Sequence, residues 1–179
     1  MKDESKKPNI AVGVDMGGPG GIVVLEEGAM PRLLWEKEIP KGLSNDSLFQ
    51  ILREAVAKYG ANCIYCERPF TGKWDPRPSV GMSQREKMGI LKLVAERAGI
   101  PLFDRMPQTW KKDAINDGRA TKDKISRDMQ KLYHLQSQSE HVADAAAMAQ
   151  CGLAELRKSA FQRKAEAELK QQRKRKQCK

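Results

Sequence analysis

Apolar positions along the chain fall into two periods, and each period marks an element. NIAVGVD (9–15) and GGIVVLEEG (20–28) are β-branched runs separated by a glycine-rich turn, the pattern of a strand hairpin. PRLLWEKEI (31–39) predicts a third strand. From Ser44 to Gly60 the period changes: Leu48, Leu52, Ala55, Val56 and Tyr59 share one helical face, with capping residues ahead and glycine behind. NCIYCERP (62–69) returns to strand and is stopped by Pro69. A polar, proline-rich loop follows, and then Ser83 and Glu86 have the spacing of a capping box ahead of KMGILKLVAERAG. IPLFDRM (100–106) predicts a short fifth strand, with helical stretches around 108–115 and 121–135. A last helix is predicted from Ser137–Glu140, again Ser-x-x-Glu, running towards the tail.

The order βββαβαβ followed by helices implies an α/β protein, a mixed five-stranded sheet flanked by helices. No internal repeat is visible. The 179 residues, 40% of them hydrophobic, suit one compact domain plus an appended segment. No apolar run of 18 residues occurs, and MKDESKKPNI lacks the apolar stretch of a signal peptide, so a soluble protein with no membrane role is expected. The four cysteines are scattered, which argues against a disulfide framework and for a reducing compartment. Cys63 and Cys66 have Cys-x-x-Cys spacing, but residues three apart on a strand face opposite ways and cannot chelate together.

Charge divides the chain. The net +10 is concentrated in residues 157–179, which hold ten Lys or Arg against Glu166 and Glu168, whereas residues 1–156 are nearly balanced. The division is therefore a body over 8–156 and a basic tail over 157–179, helical or disordered. KQQRKRKQCK, with Arg173, Lys174, Arg175 and Lys176, reads as an arm for a polyanion, nucleic acid first among them. The competing reading is a helix end kept soluble by like charges.

The candidate chemistry is acidic. Asp15 ends the first predicted strand and Glu67 the fourth. If those strands are parallel neighbours, both carboxylates stand at the C-terminal sheet edge, where ligands bind in open α/β sheets. In VADAAAMAQ, Asp144 sits within an apolar helix and shares a face with His141, three residues before it. Three carboxylates and an imidazole at one edge need neutralising, and oxygen-rich ligation suits one or two Mg²⁺ or Mn²⁺ ions. Each residue has a plainer reading. Asp15 would cap its turn, Glu67 pair with Arg68 or Arg105, Asp144 pair with a lysine, and His141 be an ordinary helix residue.

These motifs, in this order, resemble the RuvC-type Holliday junction resolvases, nucleases of the RNase H-like fold, with a phage-type or stand-alone member in view. GVDMGG carries the family's first aspartate, IYCERPF its glutamate, and HVADAAAMA its helix with an acid or histidine ahead of a catalytic aspartate. TWKKDAI and DGRATKDKI fit its paired lysines, at Lys111 and Lys122. The resemblance spans roughly 8–154. The sequence departs from it in placing His141 where many members have aspartate, and in its DMGGPGG opening.

The resemblance implies a crossover junction endonuclease acting as a homodimer on branched DNA. It implies two metals per site, bound by Asp15, Glu67, His141 and Asp144, and 5′-phosphate and 3′-hydroxyl products. Lys111 and Lys122 would hold the scissile phosphate, or else be ordinary surface lysines. Arg68, Phe70, Lys73 and Trp74 would contact DNA, the aromatics by stacking on bases or, alternatively, by filling their own loop. A homodimer would use the helix over 83–99, whose Met88, Ile90, Leu91, Leu93 and Val94 occupy more than one face. No small-molecule cofactor is expected, and the location would be cytoplasmic, near the nucleoid, with a nuclear or organellar one still open. Two alternatives remain at this point: a fork or flap nuclease of the same fold, and a catalytically silent DNA-binding protein.

Overall fold

The computed structural model describes residues 7–69, 78–158 and 162. A short turn joins β1 (Ile10–Asp15) to β2 (Gly20–Glu26), which therefore pair antiparallel, with Asp15 opposite Gly21. β3 (Arg32–Ile39) adds antiparallel to β2. The chain crosses over through α1 (Asn45–Tyr59) to β4 (Cys63–Glu67), parallel to β1, and through α2 (Pro78–Ala98) to β5 (Leu102–Arg105), parallel to β4. α3 (Pro107–Ile115), α4 (Lys122–Tyr133) and α5 (Glu140–Arg157) complete it. The sheet order β3-β2-β1-β4-β5 is the mixed, RNase H-like arrangement expected from the sequence.

Strand alternation sorts the side chains into two cores. Val12, Val14, Ile22, Val24, Ile64 and Cys66 face α1 and α2. Ala11, Val23, Leu25, Cys63 and Tyr65 face α5, which α3 and α4 cover from outside. Cys63 and Cys66 thus lie in different layers, as the strand period requires. Continued by two residues, the same alternation puts Asp15 and Glu67 on the α5 face. Val14 pairs with Cys66 in the parallel ladder, so the two carboxylates end adjacent strands side by side.

α5 lies against the sheet at unusually short range, and glycine permits it. A Cβ on Gly13 would lie 2.0 Å from the Ala145 carbonyl oxygen and 2.4 Å from the Ala149 nitrogen. On Gly21 it would lie 2.4 Å from the His141 carbonyl oxygen. The alanines of α5 are small for the same reason, since larger side chains would lift the helix away.

Two predicted helix starts are corrected. α2 begins at Pro78, so Ser83 lies inside the helix and caps nothing; proline needs no helical N–H at a first turn and so starts a helix readily. α5 is preceded by Ser139 as N-cap, not Ser137, whose Oγ instead accepts from the Ser139 N–H at 3.1 Å. The apolar faces of α2 also divide. Met88, Leu91, Val94 and Ala95 are buried in the core, while Met82 and Leu93 are exposed. Among the described residues no helix is long and apolar enough to cross a membrane.

Candidate active site

Asp15 closes β1 at the last ladder position, opposite Gly21, with its carboxylate turned to the α5 side. One oxygen, Oδ1, accepts from the Gly17 N–H at 2.9 Å. The other, Oδ2, lies 2.8 Å from Nδ1 of His141, in the first turn of α5. Turn cap and site residue are therefore not competing readings, because one oxygen caps the turn and the other faces His141. The close seat of α5 over Gly21 brings His141 within reach.

Glu67 pairs with neither arginine proposed for it. Arg68 turns to Asp104 at 2.8 Å and Arg105 to the buried Glu155 at 3.1 Å. Glu67 Oε2 instead accepts from the indole N–H of Trp110, which is 1% exposed in α3, at 3.1 Å. Burial pushes the Glu67 carboxyl up, the Trp110 hydrogen bond opposes this, and the Asp15 charge adds to it.

Asp144 stands one turn along α5 from His141. Among the described residues no hydrogen bond or ion pair reaches its carboxylate. Burial first, and the Asp15 charge second, push it up to about 7. The folded carboxyl thus keeps its proton where the unfolded one, near 3.8, has lost it. Its contribution to stability is therefore most favourable below pH 4, falls as pH rises towards 7, and stays low above. Asp144→Asn should stabilise the metal-free protein at pH 8 by on the order of 2 kcal/mol, raising Tm by about 4–8 °C. Calorimetry in EDTA at pH 8 and pH 4 checks this: the gain should vanish at pH 4, and no gain at pH 8 would contradict the burial of an unpartnered charge.

The lysines divide in role. Lys122, the first residue of α4, ion-pairs with Glu140 at the start of α5, and this pairing holds its pKa up. Lys111 donates to the Ala120 carbonyl at 3.1 Å and lies over the Trp110 ring, 5.6 Å from its centroid. Both still lower the pKa values of Glu67 and Asp144 through their charge. Phe70, Lys73, Trp74, Arg173, Lys174, Arg175 and Lys176 lie outside the described residues. Arg157, the first cation of the tail, is engaged by Glu27 at 2.6 Å and so is not a free polyanion contact.

Sequence reasoning missed three contributors. Trp110 was legible only as the neighbour of Lys111, Glu140 only as a supposed capping residue, and Lys87, which hydrogen-bonds the loop after Asp15, carried no signal. Among the described residues no three His, Cys, Asp or Glu side chains converge closely enough to enclose an ion as they stand. The donor set nonetheless fits a hard divalent cation in kind: carboxylates and an imidazole at one edge, two of the carboxyls destabilised as anions by burial and by Asp15.

Comparison with known proteins bears on the family and the fold. A family model described as Crossover junction endodeoxyribonuclease RuvC matches residues 36–152. A RuvC of Rhodopirellula baltica is 32% identical over 153 residues, 79% of this chain and 84% of that one. A RuvC of Chlamydia trachomatis is 36% identical over 108 residues, 58% and 62% of the two chains. In fold, Thermus thermophilus RuvC, solved in complex with a Holliday junction substrate, matches with a TM-score of 0.64 at 19% identity, over 79% of this chain and 90% of that one. With more than half its length inside the family model and 32% identity to a relative along most of both chains, the chain belongs to the RuvC family of crossover junction endodeoxyribonucleases.

Proposed function

We propose that this protein resolves four-way DNA junctions, hydrolysing paired phosphodiester bonds to leave 5′-phosphate and 3′-hydroxyl ends, with Mg²⁺ or Mn²⁺, two ions per site. The observation that carries the reading is the placing of Asp15, Glu67, His141 and Asp144 at one sheet edge, with Lys122 and Lys111 close enough for their charge to lower the pKa values of Glu67 and Asp144.

Asp15, Glu67, Asp144 and His141 are the groups to hold the ions. Ions held there would supply an activated water and offset the charge that develops on phosphorus and the leaving oxygen. Trp110 fixes one oxygen of Glu67 and leaves Oε1 for ligation. His141 spends Nδ1 on Asp15, so Nε2, 3.8 Å from Glu140 Oε1, is the nitrogen left to ligate. Lys122 holds Glu140 in an exposed pair, and a DNA phosphate at that position would take over its ammonium. Lys111, tied to the Ala120 carbonyl, contributes fixed positive charge behind the site. Arg68, already paired in the open with Asp104, precedes Phe70, Lys73 and Trp74 in the chain and would contact DNA with them.

Two opposed cuts require two sites, and a homodimer provides them. The exposed ridge Met82, Gly89 and Leu93 on α2 supports such an interface; a Cβ on Gly89 would meet nothing within 4 Å, so the backbone there is open to a partner. Residues 8–156 would form the nuclease unit, and 157–179 an arm for DNA, acting in the cytoplasm beside the nucleoid. A chain cut after Leu156 should bind junctions with a shallower salt dependence, each lost phosphate contact lowering the slope by about 0.9. An unchanged slope would assign the tail another task.

The test is cleavage of a labelled four-way junction beside linear duplex and a three-way fork, with Mg²⁺, with Mn²⁺ and with EDTA. Metal-dependent, symmetric paired cuts confined to the four-way junction are expected. Equal cutting of the fork would make this a broader branch nuclease, and binding without cutting would leave a DNA-binding protein.

A further inference from the structure

The loop after Asp15 has little packing of its own. Met16 is buried beneath α1 and α2, but Gly17 and Gly18 carry no side chains and border an open groove of about 460 Å³. Across that groove's wall, from α2, Lys87 reaches the loop. Its Nζ donates to the Met16 carbonyl at 3.1 Å and to the Gly17 carbonyl at 2.8 Å.

The first of these bonds matters most. The Met16 carbonyl and the Gly17 N–H belong to one peptide unit, which is planar, so fixing one end fixes the other. Lys87 holds the carbonyl end, and the N–H end donates to Asp15 Oδ1 at 2.9 Å. The ammonium, the peptide and the carboxylate therefore form one hydrogen-bonded chain, each bond polarising the next. Lysine usually keeps its charged end in water. Here it is half-buried against two carbonyls, and burial pulls its pKa down.

We propose that Lys87 is a positioning residue: by fixing the Met16–Gly17 peptide it sets the direction of the Asp15 carboxylate and so the affinity of the acidic site for divalent cations. This rests on the reading of that site as a divalent-cation site. Lys87 is bonded to the Met16 and Gly17 carbonyls rather than to the Asp15 carboxylate, and its effect is exerted through the peptide plane.

The test is Mn²⁺ binding to the full chain without DNA, read from the loss of the free-ion electron paramagnetic resonance signal. Lys87→Met keeps the aliphatic length and removes the donors, whereas Lys87→Arg keeps charge and donors. Lys87→Met should weaken Mn²⁺ binding about tenfold, the usual scale for a group supporting a ligand, and Lys87→Arg should restore most of it. Hydrogen exchange at the Gly17 amide should quicken in Lys87→Met, while junction affinity in EDTA stays within about twofold. Cleavage by Lys87→Met should recover as Mn²⁺ is raised. If Lys87→Met does not fold, Lys87→Gln, whose amide ends one bond short of the lysine ammonium, tests the same contact by shortening its reach.

Wild-type Mn²⁺ affinity in Lys87→Met would overturn the assignment while leaving the nuclease reading intact. A parallel loss of junction affinity in EDTA would also overturn it, making Lys87 a DNA contact. A wild-type chain that neither binds Mn²⁺ nor cleaves would sink both readings.

Discussion

Asp15→Asn is expected to reduce junction cleavage by at least about 10²–10³-fold, the scale on which losing one electrostatic catalytic group is felt, while junction binding in EDTA is retained. Asparagine can still accept from the Gly17 N–H and meet His141, so the turn and the seat of α5 should survive. What it lacks is the negative charge. The proposed site draws its attraction for a divalent ion from carboxylates that burial and mutual repulsion make poor anions on their own, and Asp15 raises the pKa of both Glu67 and Asp144. Removing that charge should lower both pKa values in the free protein. Cleavage at the wild-type rate with either metal would remove Asp15 from the chemistry and with it the proposed site.

The second large effect is on stability. Gly13→Ala should cost about 3 kcal/mol or more, at the upper end of what overpacking does, and lower Tm by roughly 6–12 °C. The added methyl would fall 2.0 Å from the Ala145 carbonyl oxygen and 2.4 Å from the Ala149 nitrogen, both backbone atoms of a central helix. No rotamer change relieves a backbone clash, so α5 itself must move. Since α5 carries His141 and Asp144, whatever protein folds should also hold these residues displaced from Asp15, and cleavage should fall with stability. Urea unfolding and junction cleavage measured on the same preparation check both halves. An unperturbed Tm would mean that α5 does not lie as close to β1 as described.

Much of this was legible along the chain. The alternation of β1 and β4 determines that Asp15 and Glu67 face the same layer, because a strand returns to one face every two residues. The period of α1 and its flanking Ser44 and Gly60 were equally plain, and the structure gives them as N-cap and C-cap. His141 and Asp144 share a helix face by spacing alone. The family motifs added the order in which such residues are used.

What remained hidden depended on contacts far apart in sequence. Glu67 is held by Trp110 through a helix whose position is set by α5, not by the arginines beside it in sequence. The start of α2 lies before the Ser83–Glu86 spacing, because that spacing is a local preference and a helix entered at Pro78 overrides it. Lys87 reaches the Asp15 loop across 70 residues of chain. Sequence by itself determined which residues stand on each face of each element, since those periods are properties of the backbone. Only the tertiary structure decided which faces meet and at what distance, since that follows from packing of the whole chain, down to the missing Cβ atoms of Gly13 and Gly21 that let α5 reach the sheet edge where Asp15 stands.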